Sequence, residues 1–185
     1  MSPDPKTAAL IAMIPAYAAD IARNLEVLAA EEVLNAQRKW GTFLACAHAM
    51  GTPDLVRAIE DVASAHLSLE AADGARAAAA IMGMNNIYYR ALHIMRSAEY
   101  QTLPARLRMA VIANPGVEKA DFELWSFAVS AINGCGACLD AHEGELKKHA
   151  VPAVEIQCAL RIAAVVHAAG RVLASEAARG ASSPR

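Results

Sequence analysis

Apolar residues spaced three and four apart recur along this chain, and no segment alternates apolar with polar as a half-buried strand does. That pattern confines the chain to an all-α fold. Ile21, Leu25 and Leu28 carry it early, Leu55, Ile59 and Val62 continue it, and Phe122, Trp125, Val129 and Ile132 form its clearest amphipathic stripe. The apolar fraction is 56% but only 5% of residues are aromatic, so the buried surfaces are built from small, alanine-rich faces. Such faces suit close helix packing and burial between subunits. At 185 residues, with roughly 150 per domain as a prior, one domain is expected.

Breakers divide the pattern. Residues 1–9 read as a flexible leader because Pro3 and Pro5 oppose regular structure, residues 10–178 as the helical domain, and 179–185 as a flexible tail. Pro15 in the first turn opens one helix, and a second runs from Glu32 to about Met50 and closes at Gly51. Thr52 as N-cap and Pro53 at the first helical position start a third, through about His66. A long helix follows Ser68, weakened at Gly74 and Gly83, and a short one spans about Arg106–Ala113 before the turn Asn114-Pro115-Gly116. Val117–Ile132 and a segment starting near Cys135 are helical, and Pro152 opens the last helix, to about Ala178. Trp40 and Trp125 each precede a small-residue helix that breaks at a glycine, which suggests two degenerate helical halves. In that register Met50 and Pro53 take the positions of Cys135 and Cys138.

Several function classes are disfavoured. A net charge of −2 and a pI near 6.3 give no basic footprint for nucleic acid. The N-terminus lacks the form of a secretory signal, so a cytoplasmic protein is expected. Apolar runs such as AAAAIMGM and IAAVVHAA fall short of the ~18 residues of a membrane span. Of four cysteines, Cys46 and Cys158 read as buried small hydrophobes, while Cys135 and Cys138 form a close pair suited to metal or redox chemistry.

That pair lies in ELWSFAVSAINGCGACLDAH, from Glu123 to His142. Cys135, Cys138 and His142 stand at i, i+3 and i+7, on one face of a continuous helix. The Asn133-Gly134 break places the dithiol at a helix N-terminus, where the dipole favours thiolate. His142 is one turn beyond Cys138 and can act as its base, with Glu123 orienting the imidazole. A thiolate so formed can attack a hydroperoxide to give a sulfenic acid, and the second thiol can close the disulfide. Zinc remains open on the residues alone, although three ligands from one rigid helix splay poorly around a tetrahedron. Thioredoxin-like exchange and inert core thiols also remain open. Met82 and Met84 read as core filler, and Asn85-Asn86 with Tyr88-Tyr89 as packing residues or the border of a site.

The phrases WGT at Trp40, AAAIMGMNN ending at Asn86, LRM at Leu107, IANPG ending at Gly116 and FELWSFAVSAINGC ending at Cys135 resemble the alkyl hydroperoxidase D family. That family belongs to the carboxymuconolactone decarboxylase-like superfamily. The resemblance runs over most of the chain and implies an all-α homotrimer without a tightly bound cofactor or metal. The implied activity is an antioxidant alkyl hydroperoxide reductase acting on organic hydroperoxides and hydrogen peroxide and passing electrons to an AhpC-type peroxiredoxin. The implied electron donor is dihydrolipoamide on a lipoyl-bearing 2-oxoacid dehydrogenase component, recharged by dihydrolipoamide dehydrogenase. By position, Cys138 is the peroxide-reactive thiol, Cys135 the more accessible thiol that forms and exchanges the disulfide, and Glu123 and His142 the proton relay. The family often has a histidine just before the second cysteine, where this chain has Ala137, so the relay is expected to run through His142. A non-peroxidatic thiol adaptor between a lipoyl protein and a peroxiredoxin is the alternative reading, and a decarboxylase-like enzyme ranks last.

Overall fold

The computed structural model describes residues 4–181, and among them there is no strand. Ten helices follow in order: α1 (Pro5–Ala12), α2 (Ala19–Ala30), α3 (Ala36–Met50), α4 (Pro53–Ala63), α5 (Leu69–Ile94), α6 (Glu99–Thr102), α7 (Ala110–Ala113), α8 (Lys119–Ile132), α9 (Gly136–Lys148) and α10 (Ala153–Ala181).

The proposed leader is helical over most of its length. Asp4 accepts hydrogen bonds from the Lys6 and Thr7 N–H groups, Pro5 takes the first helical position, and Thr7 and Leu10 are buried. Residues 1–3 of that leader, and 182–185 of the proposed tail, lie outside the described residues; α10 itself continues through Arg179 and Gly180. Pro15 precedes a short 3₁₀ turn, Ala16–Ala18, so α2 starts four residues later than the sequence pattern predicts. The helix expected from Glu32 begins at Ala36, because Asn35 accepts from the Arg38 N–H as N-cap. Thr52 makes no side-chain cap; its Oγ1 donates to the Gly170 carbonyl of α10. The helix expected over Arg106–Ala113 shrinks to Ala110–Ala113, with Arg106 in the left-handed region at φ +52°.

The core centres on α3 and α8, which lie against one another, and α5 and α10 each pack against both. Each central helix is followed by a short partner, α4 after α3 and α9 after α8. The chain therefore repeats a three-helix order, α3–α4–α5 and α8–α9–α10, as two units interleaved about the α3·α8 contact, with α4 also touching α10, α9 touching α5, and α1 and α2 added against α4 and α10. That contact is close because Gly41 lies under the Trp125 indole: a Cβ there would sit 2.3 Å from two ring carbons. Trp125 is fully buried and its Nε1–H donates to the Arg38 carbonyl at 3.3 Å. Arg38 pins three helices, donating to Asp121 of α8 at 2.7 Å and to Glu155 of α10 at 2.6 Å.

α10 is long and apolar enough to cross a membrane by length and composition, with a mean hydropathy of 1.4 over its best 18-residue window. Counting uninterrupted apolar runs overlooked it, since a span tolerates a few polar residues. Half of that window is buried inside the fold, where Ile162, Ala163, Val166 and Ala169 enter the core, as in a central helix of a bundle.

Candidate functional site

α8 ends in a Schellman turn. Gly134 takes φ +66°, its N–H reaches the Ala131 carbonyl, and the Cys135 N–H reaches the Ser130 carbonyl at 3.1 Å. The next residue in line, Cys135, is the N-cap of α9, and its sulfur accepts from the Cys138 N–H at 3.3 Å. The break that the sequence places at Asn133-Gly134 thus delivers both cysteines to the first turn of a helix. They are joined as a disulfide with Cα atoms 5.3 Å apart. In the reduced state the unpaired N–H groups of this turn and the helix dipole favour thiolate here.

Neither sulfur lies on the surface. Cys135 is fully buried and Cys138 is 6% exposed, so the expectation that Cys135 is the more accessible thiol is reversed. The reason is positional: as N-cap, Cys135 sits in the joint between α8 and α9, whereas Cys138 has advanced along α9.

His142 is one turn further along α9 and buried. Its Nδ1 lies 2.6 Å from Glu123 Oε2 and its Nε2 3.3 Å from the Met82 sulfur. The structure therefore brings Glu123 and His142 together as the sequence predicts, and sets the other imidazole nitrogen against a thioether. Hydrogen bonding to Cys138 is not among the imidazole's contacts in this disulfide state. Glu123, 2% exposed, is held by a second group: the Lys119 ammonium lies 2.7 Å from Oε1. Burial pushes the Glu123 carboxyl up, but the hydrogen bonds from His142 and Lys119 outweigh it and hold the group below the ordinary glutamate value.

α5 supplies the site's third wall: Met82, read from sequence as core filler, and Asn86, read as a packing residue or the border of a site, both face it, together with Arg90. Met82, Asn86 and Arg90 follow at four-residue steps. Asn86 donates to Ser130 Oγ at 2.9 Å and accepts from the Asn133 side-chain amide at 2.9 Å, and Arg90 donates to the Asn133 carbonyl. These bonds clamp the turn that leads into Cys135. Lys119 was also missed, and an i,i+4 cation–carboxylate pair with Glu123 was the signal that could have found it.

Cys46 and Cys158 are free, buried thiols, and burial pushes both upward in pKa, consistent with small core residues. His48 also has a partner, away from the cysteines. Its Nε2 lies 2.7 Å from Glu60 Oε1, and Arg76 binds the same carboxylate, in a half-buried cluster on the other unit. Among the described residues no group of three or more His, Cys, Asp or Glu side chains is arranged to hold a metal ion.

Comparison with known proteins gives a consistent picture. Residues 98–179, from just before α6 to near the end of α10, match the sequence model of the carboxymuconolactone decarboxylase family. Over 169 residues the chain is 62% identical to an alkyl hydroperoxide reductase AhpD of Hyphomonas neptunium, covering 91% of this chain and 94% of the relative. A protein of the same name from Maricaulis maris is 58% identical over 163 residues, covering 88% and 94%. One from Streptomyces avermitilis is 53% identical over 168 residues, covering 91% and 95%.

Proposed function

The chain belongs to the carboxymuconolactone decarboxylase family, among the AhpD alkyl hydroperoxide reductases, and is a peroxide-reducing oxidoreductase; from that premise we propose that its redox centre is the Cys135–Cys138 pair driven by a Glu123–His142 proton relay. The observation that carries this reading is the disulfide in the first turn of α9, one turn before an imidazole hydrogen-bonded to a buried carboxylate.

The cycle starts from the dithiol. His142, oriented through Nδ1 by Glu123, takes the Cys138 proton on Nε2 after that nitrogen turns from Met82. The thiolate attacks the terminal oxygen of the hydroperoxide, the O–O bond breaks, and the departing alkoxide takes the proton back from the imidazolium. Cys138 is now a sulfenic acid. Cys135 attacks its sulfur, water leaves, and the disulfide closes. Two thiols have supplied two electrons to convert ROOH into ROH and water, with R a hydrogen for hydrogen peroxide.

Reduction returns the pair to its starting state. Both cysteines are buried, which suits a slender dithiol such as dihydrolipoamide as reductant. Exchange at Cys135 then requires the Asn133-Gly134 turn to yield. The reading further takes the donor as a lipoyl-bearing 2-oxoacid dehydrogenase component, recharged by dihydrolipoamide dehydrogenase, and the acceptor as an AhpC-type peroxiredoxin as well as free peroxide. It places the protein in the cytoplasm as a homotrimer.

The experiment is free-thiol titration of the reduced protein before and after one equivalent of hydroperoxide, repeated on Cys135→Ser and Cys138→Ser. Loss of two thiols per chain supports the reading, and normal peroxide reaction by Cys138→Ser removes it. One observation favours the adaptor alternative: Ala137 provides no imidazole at the position next to Cys138. Fast disulfide reduction by dihydrolipoamide with negligible peroxide turnover would select that version.

A further inference from the structure

The buried Glu123 carboxylate is shared. His142 approaches Oε2 from α9 at 2.6 Å, and Lys119, one turn earlier on α8, approaches Oε1 at 2.7 Å. The ammonium is itself fixed, because it also donates to the Ile112 carbonyl of α7 at 2.7 Å. Three elements therefore converge on one cation, one anion and one imidazole in line. Among the described residues no further salt bridge joins them. α5 contributes the uncharged Met82 sulfur, and its Arg90 is engaged with the Asn133 carbonyl. Arg38 of α3 is engaged with both Glu155 of α10 and Asp121, two residues from Glu123 on α8. On α9 itself Cys138 is bound in the disulfide, Glu143 and Glu145 are paired with Lys147 and Lys148, and Asp140 is exposed.

We propose that Lys119 is a positioning residue for the redox relay: by neutralising Glu123 on the side away from the imidazole, it keeps His142 neutral, with Nδ1–H on the carboxylate and Nε2 able to accept the Cys138 proton once it leaves the Met82 sulfur. This deepens the reading above and rests on His142 being the base. The physics is a balance of two charges. A buried carboxylate alone draws a proton onto its imidazole partner and holds it there, which removes the Nε2 lone pair. A cation on the opposite oxygen offsets that pull. Lys119 touches neither thiol; it acts only through Glu123.

The test reads the imidazole directly. In the oxidised protein the His142 ring proton is followed by NMR through a pH titration, assigned by its loss in His142→Gln, for the native chain, Lys119→Met and Lys119→Arg. Lys119→Met should raise the imidazole pKa by about one unit, equivalent to a tenfold shift in its proton affinity. Lys119→Arg should restore the native value, and Lys119→Met should have little effect on a Glu123→Gln background. Thermal melts check that each variant is folded, with Lys119→Gln replacing any Met variant that is not. An unshifted imidazole in the neutral variants, or a full shift that persists without the Glu123 charge, overturns the proposal.

Peroxide kinetics separate this from the underlying reading. Lys119→Met should lower kcat at pH 7 about threefold, with a larger loss at lower pH, recover at higher pH and leave KM for hydroperoxide unchanged. A shifted imidazole with an unchanged or faster neutral rate would remove His142 as the base, and with it the reading on which the proposal rests.

Discussion

Gly51 and Gly134 hold φ at +67° and +66°, each follows a central helix, and each is followed by a residue that starts the next short helix. Counting outward from the two glycines pairs Thr52 with Cys135, Leu55 with Cys138, Trp40 with Glu123 and Ile59 with His142. All four residues of the first set are buried, as are all four of the second. One unit fills these positions with a tryptophan, an isoleucine, a leucine and a threonine whose hydroxyl reaches Gly170; the other fills them with two thiols, a carboxylate and an imidazole. The same helix–turn–helix frame thus makes plain core in one half and, in the other, a disulfide beside a carboxylate–imidazole pair, which we propose as the redox centre. The difference is paid for by local charge compensation: Glu123 has Lys119 and His142, whereas Trp40 stacks on His66, 5.0 Å between ring centroids. The first unit also has a histidine–carboxylate–arginine cluster, but His48 and Glu60 are each 29% exposed and lie apart from the positions that match the dithiol. What separates a reactive cluster from a surface one is burial beside a nucleophile.

The strongest way to break the comparison is at the cysteines. Cys138→Ser should abolish hydroperoxide-driven thiol loss, while Cys46→Ser, in the core of α3, should leave it intact in any variant that folds, both read by thiol titration. Next come the carboxylates. Glu123→Gln should lower peroxide turnover by about 10²- to 10⁴-fold, the range for a lost acid–base relay, and Glu60→Gln should leave turnover within about twofold. Steady-state rates with a thiol donor check both.

The turns themselves should differ less. Gly51→Ala and Gly134→Ala each force a side chain into the left-handed region, where the added Cβ meets open space or only the end of Arg90, so each should cost about 1–2 kcal/mol in urea unfolding. Only Gly134→Ala should also change the rate of disulfide reduction. The smallest effect is on acid stability. Glu123 and Glu60 are both held below the ordinary glutamate value, Glu123 against its burial and Glu60 by the Arg76 hydrogen bond before opposing burial. Their stabilisation is therefore complete above about pH 4.3 and is lost as pH falls below that through the lower folded-state values. Glu60→Gln should flatten the loss of stability over that acid range, measured by urea melts at successive pH, and a steepened loss would contradict the sign.

Much of the second unit was legible in the chain. Phe122, Trp125 and Val129 announced α8 because a stripe at helical period must face a core, and Asn133-Gly134 announced its end because glycine accepts positive φ. The pairing of Glu123 with His142 was readable too, since it needs only two adjacent helices. The repeat was legible only in outline. Matching Trp40 to Trp125 put Met50 and Pro53 opposite the cysteines, whereas the backbone turns put Thr52 and Leu55 there. Tryptophans fill space wherever the packing requires it, and Trp125 answers to Gly41 across the α3·α8 contact, so side-chain identity was a poorer marker of register than the left-handed glycine.

By itself, the sequence determined the helical class, the turn that bears the cysteine pair and the chemical types gathered around it, because periodicity, glycine conformation and helix spacing are local properties. Tertiary structure alone decided that both cysteines are buried, that Met82 faces the imidazole, that Asn86 and Arg90 hold the turn, and that Lys119 pairs with Glu123. Those facts depend on how α5, α7, α8 and α9 approach one another, and distances between helices far apart in sequence are set by packing of the whole core rather than by any one segment.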